Sequence, residues 1–284
     1  MQEADKFKTY PEITWCPGCG NFGILAALKN AFLKLQLDPK DILIAYGVGC
    51  HGHMGNYLKT YGFQGLHGRA LPVVEGAKIA NHKLTVISVS GDGDQLGEGG
   101  NHLIHASRRN IDMTCVINNN RLYSLTVGQA SPTTQKGMKT RTTPKGVIEE
   151  PLSPLALAII SGATFAARSF AGDMNHLTQT FADGINHKGF AVIDVLQPCV
   201  TLNKVNTFEW YKERIYKLKS DYNSKDKMTA IKKSLEFGDK IPIGILYQVQ
   251  KPLFKEQRSE IKETPLVEQS LENISIEKLL EEFA

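Results

Sequence analysis

The sequence predicts an α/β fold: a doubly wound, mostly parallel sheet with helices on both faces, followed by a C-terminal extension. Two observations carry this expectation. Four short apolar runs rich in valine and isoleucine, ILIAY (42–46), LTVISV (84–89), MTCVIN (113–118) and FAVIDVL (190–196), have the continuous character of strands buried on both faces. Helix-like stretches lie between them, at 75–82, 98–109 and 155–170, and strands alternating with helices build parallel sheets. Such sheets bind ligands in loops at the carboxyl ends of their strands, where the notable loops of this chain fall.

Taken in order, residues 22–35 (FGILAALKNAFLKL) put Leu25, Leu28, Phe32 and Leu35 on one helical face, so a helix begins directly after CPGCG. Beyond Cys199 the composition shifts. Residues 203–240 are charged and helix-prone, IPIGILYQV (241–249) predicts a further strand, and 251–268, charged and holding two prolines, reads as a linker. The tail SLENISIEKLLEEFA sets Leu271, Ile274, Leu279 and Phe283 near helical spacing, suited to docking on a partner or on this chain itself. The expected division is an α/β domain over 1–215 and an extension over 216–284. No internal repeat is visible.

Composition narrows the class. A chain of 284 residues with 42% hydrophobic content can bury a full core as one large domain. No apolar run approaches the roughly 20 residues that cross a bilayer, and MQEADKFKTY lacks the core of a signal peptide, so the expectation is a cytoplasmic protein without a membrane anchor. The formal charge of +4 is spread along the chain, without the basic and aromatic blocks of a nucleic-acid groove, though compatible with a small acidic protein partner. Of the five cysteines, Cys16 and Cys19 form a close pair that, in a reducing compartment, suggests metal or redox chemistry rather than a disulfide.

Cys50, in the turn GVGCHG, and Cys199, after DVLQP, can join that pair. Four thiolates suit a structural zinc ion or a cubane iron–sulfur cluster. Zinc ribbons usually supply two close pairs, which tilts the spacing slightly towards a cluster. Thioredoxin-like redox chemistry is a third reading of Trp15–Cys19, weakened because no strand fits into the polar residues before it. Cys115, inside a strand pattern, reads as core.

The second motif is Gly91-Asp92-Gly93-Asp94 after one strand and Asn118-Asn119-Asn120 after the next. Neighbouring parallel strands end side by side, so Asp92 and Asn120 can offer two oxygens to one cation. Magnesium takes few protein ligands and leaves positions for phosphate oxygens, and the glycines let backbone N–H groups approach a diphosphate. An EF-hand opening at Asp92 fails at Leu96 and Leu103, and a dinucleotide fingerprint there also fails at Leu96. GVGCHG does satisfy the dinucleotide spacing, but Gly62, Gly65 and Gly68 stand where its helix belongs. A plain structural turn remains an alternative for GDGD. In the third motif, TYGFQGLHGRALP (60–72), His67 is the candidate catalytic histidine, able to reach a phosphate or a reacting carbonyl; otherwise HGR shapes a turn. His102 and His105 fall in a helical stretch and read as surface or packing residues.

Taken together, WCPGCGN, YGVGC, TYGFQGLHGRALP, SGDGDQLGEGGNHLIHASRRNID, INNNRLYSLTVGQASPTT, DVLQPC and IPIGILY resemble, in order and spacing, the beta subunits of 2-oxoacid:ferredoxin oxidoreductases. The resemblance covers about 12–215 and 238–250. It implies a [4Fe-4S] cluster on Cys16, Cys19, Cys50 and Cys199. It implies Mg2+ on Asp92, the Asn120 side chain and the Leu122 carbonyl. Thiamine diphosphate contacts correspond to Val48, Gly49, Cys50, His51, His67, Gly93, Asp94, Ser124 and Leu125. One departure is His51, where many relatives carry a small hydroxyl residue; a contact there through backbone alone is the reading this leaves.

The implied reaction is oxidative decarboxylation of a 2-oxoacid, with coenzyme A taking the acyl group and electrons passing singly through the cluster to ferredoxin. Thiamine chemistry also needs a glutamate facing the aminopyrimidine, which in this family comes from the alpha subunit, so an obligate alpha–beta assembly is implied. HGRALP and GGNHLIHA lean towards broad 2-oxoacid or 2-oxoglutarate enzymes. A non-redox thiamine decarboxylase or ligase, and a zinc-stabilised interaction subunit, are the alternatives; neither explains all seven motifs.

Overall fold

A computed structural model of the chain describes residues 6–272 and 276–283. Its strands are β1 (Ile42–Tyr46), β2 (Tyr61–Gln64), β3 (Thr85–Gly91), β4 (Met113–Asn119), the short pair β5 (Leu122–Tyr123) and β6 (Gln129–Ala130), β7 (Phe165–Phe170), β8 (Phe190–Leu196), β9 (Ile215–Lys217) and β10 (Ile241–Gln248). Eight of them form one sheet in the order β2-β1-β3-β4-β8-β7-β10-β9, while β5 and β6 pair separately. The run from β2 to β7 is parallel throughout, and β10 adds antiparallel to β7. The principal helices are α1 (Asn21–Lys34), α2 (Ala70–Ala80), α3 (Gly100–Arg109), α4 (Pro154–Ser161), α5 (Met174–Asn186), α6 (Phe208–Arg214) and α7 (Lys227–Leu235).

Period-2 alternation explains why the strands read as unbroken apolar runs. Ile44, Ile87, Val89, Val116, Ile193 and Val195 pack with α1 and α5 on one face. Ala45, Val86, Cys115, Ile117 and Val192 pack with α2, α3 and α4 on the other. Burying the six side chains named on the first face contributes on the order of 10 kcal/mol, at roughly 1.5–3 kcal/mol each. Cys115 is fully buried core, as its position in the pattern indicates.

Three expectations need correction. The helix expected over 155–170 stops at Ser161, because Gly162 caps it in the left-handed region (φ 112°) and the following residues form β7. Apolar, alanine-rich sequence suits either element, and the glycine decides between them. The helix placed at 75–82 begins at Ala70, inside the stretch read as loop, whose first part also forms β2. Residues 251–268 are not a loose linker: Leu253 and Ile261 are buried, and Asn110 Nδ2 donates to the carbonyls of Lys251 and Pro252 (3.3 and 3.1 Å), holding the segment as a strap. In the tail, a short helix spans Ile276–Glu281 and Leu271 and Phe283 are exposed; Ile274 and the Leu279 side chain lie outside the described residues. Among the described residues no helix is long and apolar enough to cross a membrane.

Candidate functional site

Strands β1, β3, β4 and β8 are consecutive parallel neighbours, so their carboxyl ends present four loops in a row. These loops carry Cys50, Asp92, Asn120 and Cys199 respectively. Gly91 pairs with Asn118 in the sheet register, which brings the aspartate and asparagine motifs together as the spacing suggests.

A cleft of about 90 Å³ opens among the loops, lined by Val48, Gly49, Cys50, His51, His67, Gly91, Gly93, Asp94, Asn120, Leu122, Tyr123, Ser124, Leu125 and Thr126. Asp92, between the lining residues Gly91 and Gly93, is fully buried. Asp92 Oδ2 accepts from the hydroxyls of Ser131 (2.5 Å) and Thr133 (2.6 Å), whereas Oδ1 has no hydrogen-bond partner. Burial pushes the Asp92 carboxyl above its ordinary range, and those two hydroxyls pull it back down. A buried carboxylate with one bare oxygen suits a cation. Asn120 Oδ1 accepts from the Leu122 N–H (3.0 Å) and the Ser124 hydroxyl (3.1 Å), which folds the loop tightly after β4.

Asp94 ties the loops to one another. Its Oδ1 accepts from the backbone N–H groups of Val48 and Gly68 (2.9 Å each) and lies 2.7 Å from His67 Nδ1, which is also 3.2 Å from Glu98 Oε2. The turn that brings Asp94 here is widened, with the Gly99 N–H reaching back five residues to the Asp94 carbonyl (2.9 Å), a device common at functional sites. Glycine is required at 47, where a Cβ would fall 1.9 Å from Asp94 Oδ2. Gly93 and Gly97 admit the Tyr123 ring, whose hydroxyl donates to the Glu98 carboxylate (3.2 Å). Burial, then the nearby Glu98 charge, raises the Tyr123 pKa, so it stays a donor.

His51 is buried, and its Nε2 accepts from the Gly91 N–H (3.1 Å), which leaves the proton on Nδ1. Burial pulls its pKa down to about 4, against the opposing pull of Asp94, so the ring is neutral. Its ring packs over Gly49 and Gly91, where a Cβ would come within 2.6 and 3.0 Å of His51 Cε1. His51 thus lines the cleft with its ring packed against the glycine backbone.

Cys16, Cys19, Cys50 and Cys199 lie on three neighbouring loops. Cys16 and Cys19 form a turn closed by the Cys19 N–H and the Cys16 carbonyl (3.0 Å), just before α1. The Gly20 N–H donates to the Pro198 carbonyl (3.2 Å), Trp15 Nε1 to the Cys50 carbonyl (2.7 Å) and Gln197 Nε2 to Cys19 Sγ (3.6 Å), pinning the three loops together. All four thiols are free. Burial raises the Cys50 pKa to about 11, with smaller upward pushes from Cys19, Cys199 and Cys16. Among the described residues, however, no three or more histidine, cysteine, aspartate or glutamate side chains are grouped closely enough to hold a metal ion. His102 and His105 sit on α3, outside the cleft.

Several participants were not singled out from sequence: Ser131 and Thr133 on Asp92, Gln197 between Cys19 and Asn120, and Glu98 with Tyr123. The signal for the hydroxyls was the run SPTT after a glycine-bearing loop; the others had none.

Residues 47–195 match the sequence family described as "Thiamine pyrophosphate enzyme, C-terminal TPP binding domain", and residues 199–263 match the family for the C-terminal part of the pyruvate ferredoxin oxidoreductase beta chain. The chain is 48% identical over 257 residues to the 2-oxoacid:ferredoxin oxidoreductase subunit beta of Saccharolobus solfataricus, covering 86% of this chain and 84% of the relative. It is 37% identical over 215 residues to the 2-oxoglutarate synthase subunit KorB of Archaeoglobus fulgidus, covering 76% and 79%. A solved structure of 2-oxoglutarate:ferredoxin oxidoreductase from Magnetococcus marinus, with 2-oxoglutarate, coenzyme A and succinyl-CoA bound, superposes with a TM-score of 0.92 at 33% identity, covering 100% of this chain and 96% of that one.

Proposed function

The chain belongs to the beta subunits of 2-oxoacid:ferredoxin oxidoreductases, and on that premise we propose how its loops divide the work of the reaction. Membership makes it an oxidoreductase subunit with a thiamine-diphosphate-binding domain and an alpha partner. The finer assignments concern magnesium, the cluster, the substrate and the individual residues.

The observation that carries the reading is the bare Oδ1 of buried Asp92, which stands between two glycines that line the cleft. Asp92, Asn120 and the Leu122 carbonyl hold Mg2+, which neutralises a diphosphate seated among Val48, Gly49, Cys50, His51, Gly93, Asp94, Ser124 and Leu125. We assign the diphosphate end of the cofactor to this cleft, because its lining is made of backbone-exposing glycines and short polar side chains at the strand ends. The glutamate that thiamine chemistry needs is assigned to the alpha partner. Bound thiamine diphosphate supplies the carbon nucleophile and electron sink for decarboxylation. The residues of this chain orient and exclude water. Asp94 fixes the Val48 and Gly68 N–H groups and steadies His67, which we assign to proton movement near the reacting centre. Neutral His51 closes the floor without adding charge beside magnesium.

Cys16, Cys19, Cys50 and Cys199 hold one [4Fe-4S] cluster. Four free thiols on three pinned loops are the donor set such a cluster takes, and iron supplies the positive charge that keeps them as thiolates. Ferredoxin receives the electrons, and a reducing cytoplasm keeps the thiols available. Residues 1–215 carry the cofactor loops, while 216–284 contribute β10 and the strap that cover the edge beyond β7. Substrates are 2-oxoglutarate, pyruvate or both. The test is coenzyme A-dependent reduction of ferredoxin by the alpha–beta complex with each acid in turn: turnover with either supports the reading, and none with any 2-oxoacid removes it.

A further inference from the structure

A second cleft, of about 180 Å³, shares Asn119 and Thr133 with the surroundings of Asp92 and is lined also by Arg121, Arg168, Asp194 and Phe237. Both arginines are almost wholly buried, at 3% and 2% exposure. Arg168 is fully engaged. Its Nε donates to Asp194 Oδ2 (3.0 Å) and its Nη2 to the Ser234 carbonyl (2.8 Å). Asp194 is used as well, since its Oδ1 accepts from Asn119 Nδ2 (3.0 Å).

Arg121 has no such partner. Among the described residues its guanidinium makes no hydrogen bond or ion pair, and Nε is buried without an acceptor. The Asp92 and Asp194 carboxylates attract it from beyond hydrogen-bond distance, and its close contact is the Phe237 ring, 4.0 Å from the guanidinium carbon, which satisfies a face of the group but not its N–H edge. The backbone at Arg121 is left-handed (φ 64°), an unfavourable setting for a residue with a Cβ, and it directs the chain between Asn120 and Leu122. Carboxylates at that range do not replace the acceptors that a buried guanidinium's N–H donors need, and leaving those donors bare is costly. The start of α4, where Ser153 accepts from the Ala156 N–H (3.3 Å) and Pro154 leads the helix, lines the same cleft and adds the positive end of a helix dipole.

We propose that this cleft is an anion site, taking a compact oxyanion, inorganic phosphate or a short carboxylate, against the free N–H edge of Arg121. The proposal stands apart from the thiamine reading, since none of that reading's cofactor contacts besides the shared loop is used. Size limits the ligand: a cavity of about 150 Å³ accommodates benzene, so about 180 Å³ takes six or seven heavy atoms and excludes a nucleotide.

The test uses the assembled alpha–beta enzyme saturated with thiamine diphosphate and magnesium, so that the diphosphate's own seat is filled. Inorganic phosphate is titrated at constant ionic strength against chloride and followed by equilibrium dialysis and phosphorus NMR line width. One saturable equivalent per chain is expected, with affinity reduced about tenfold or more in Arg121→Met, as fits loss of a charged hydrogen-bonding partner. Leu152→Trp, which fills the mouth while leaving the guanidinium in place, is expected to reduce binding likewise. Displacement of phosphate by acetate identifies a general oxyanion site, and failure to displace it a phosphate site; both sustain the proposal. No saturable binding to the unmodified enzyme, or undiminished binding in Arg121→Met, overturns it.

Discussion

Replacing Asp94 with alanine removes the acceptor shared by two backbone donors on different loops, the N–H groups of Val48 and Gly68, each at 2.9 Å. A buried donor left without a partner costs about 1–3 kcal/mol, so two together cost about 4 kcal/mol. Asparagine in the same place keeps a neutral acceptor and loses only the charge assistance, about 1 kcal/mol. In a chain of this size each kcal/mol moves the unfolding midpoint by about 2–4 °C, so the expected falls are about 10 °C for Asp94→Ala and about 3 °C for Asp94→Asn. Thermal unfolding followed by circular dichroism on the assembled enzyme reads both. Both variants also lose thiamine diphosphate retention, because the His67 contact at 2.7 Å goes with the charge. If alanine moved the midpoint by less than about 3 °C, or asparagine cost as much as alanine, Asp94 would not be the tie between the loops.

His51 gives the protein a pH dependence of known sign. Its folded pKa, about 4, lies below the ordinary 6.5, so the unfolded chain takes up a proton that the folded chain refuses; stability is lost as pH falls from 6.5 towards 4, by about 3 kcal/mol at most. Denaturation midpoints between pH 7 and 4.5 are expected to fall less steeply for His51→Gln, which keeps an acceptor for the Gly91 N–H, and equal slopes would refute the assignment. Asp92→Asn is expected to weaken magnesium-dependent thiamine diphosphate binding at least about tenfold while leaving the cofactor-free protein no less stable, because it removes a buried charge; unchanged affinity in a binding titration counts against Asp92 as the metal ligand. Gly47→Ala drives a Cβ to 1.9 Å from Asp94 Oδ2, and a cofactor affinity lowered about tenfold is the expected readout; full affinity would show that the carboxylate can move aside.

Much of the fold was legible because parallel strands buried on both faces have no polar side, and β1, β3, β4 and β8 fall where the apolar runs end. The order of those strands then makes the site readable, since Asp92 and the asparagine run lie at adjacent strand ends. β7 escaped because Phe165–Phe170 follows a helix with equally apolar sequence, separated from it by one glycine and a short turn. β2 and the start of α2 escaped because Gly62, Gly65 and Gly68 suggested loop throughout, although an edge strand and a helix start tolerate such neighbours. The hydroxyls on Asp92 and the stacking of Arg121 on Phe237 depend on residues far apart in the chain, and no local periodicity encodes them.

The central claim is that a single polypeptide holds both a thiamine diphosphate seat and a four-thiol cluster site. Anaerobic purification of the chain with its alpha partner, followed by assay of iron, sulfide, zinc and thiamine in a single preparation, tests it most directly. About four irons, held by the beta-subunit cysteines, and one thiamine are expected per beta chain, with the iron lost in Cys50→Ser. Stoichiometric zinc without thiamine, or iron that survives loss of Cys50 unchanged, would contradict it.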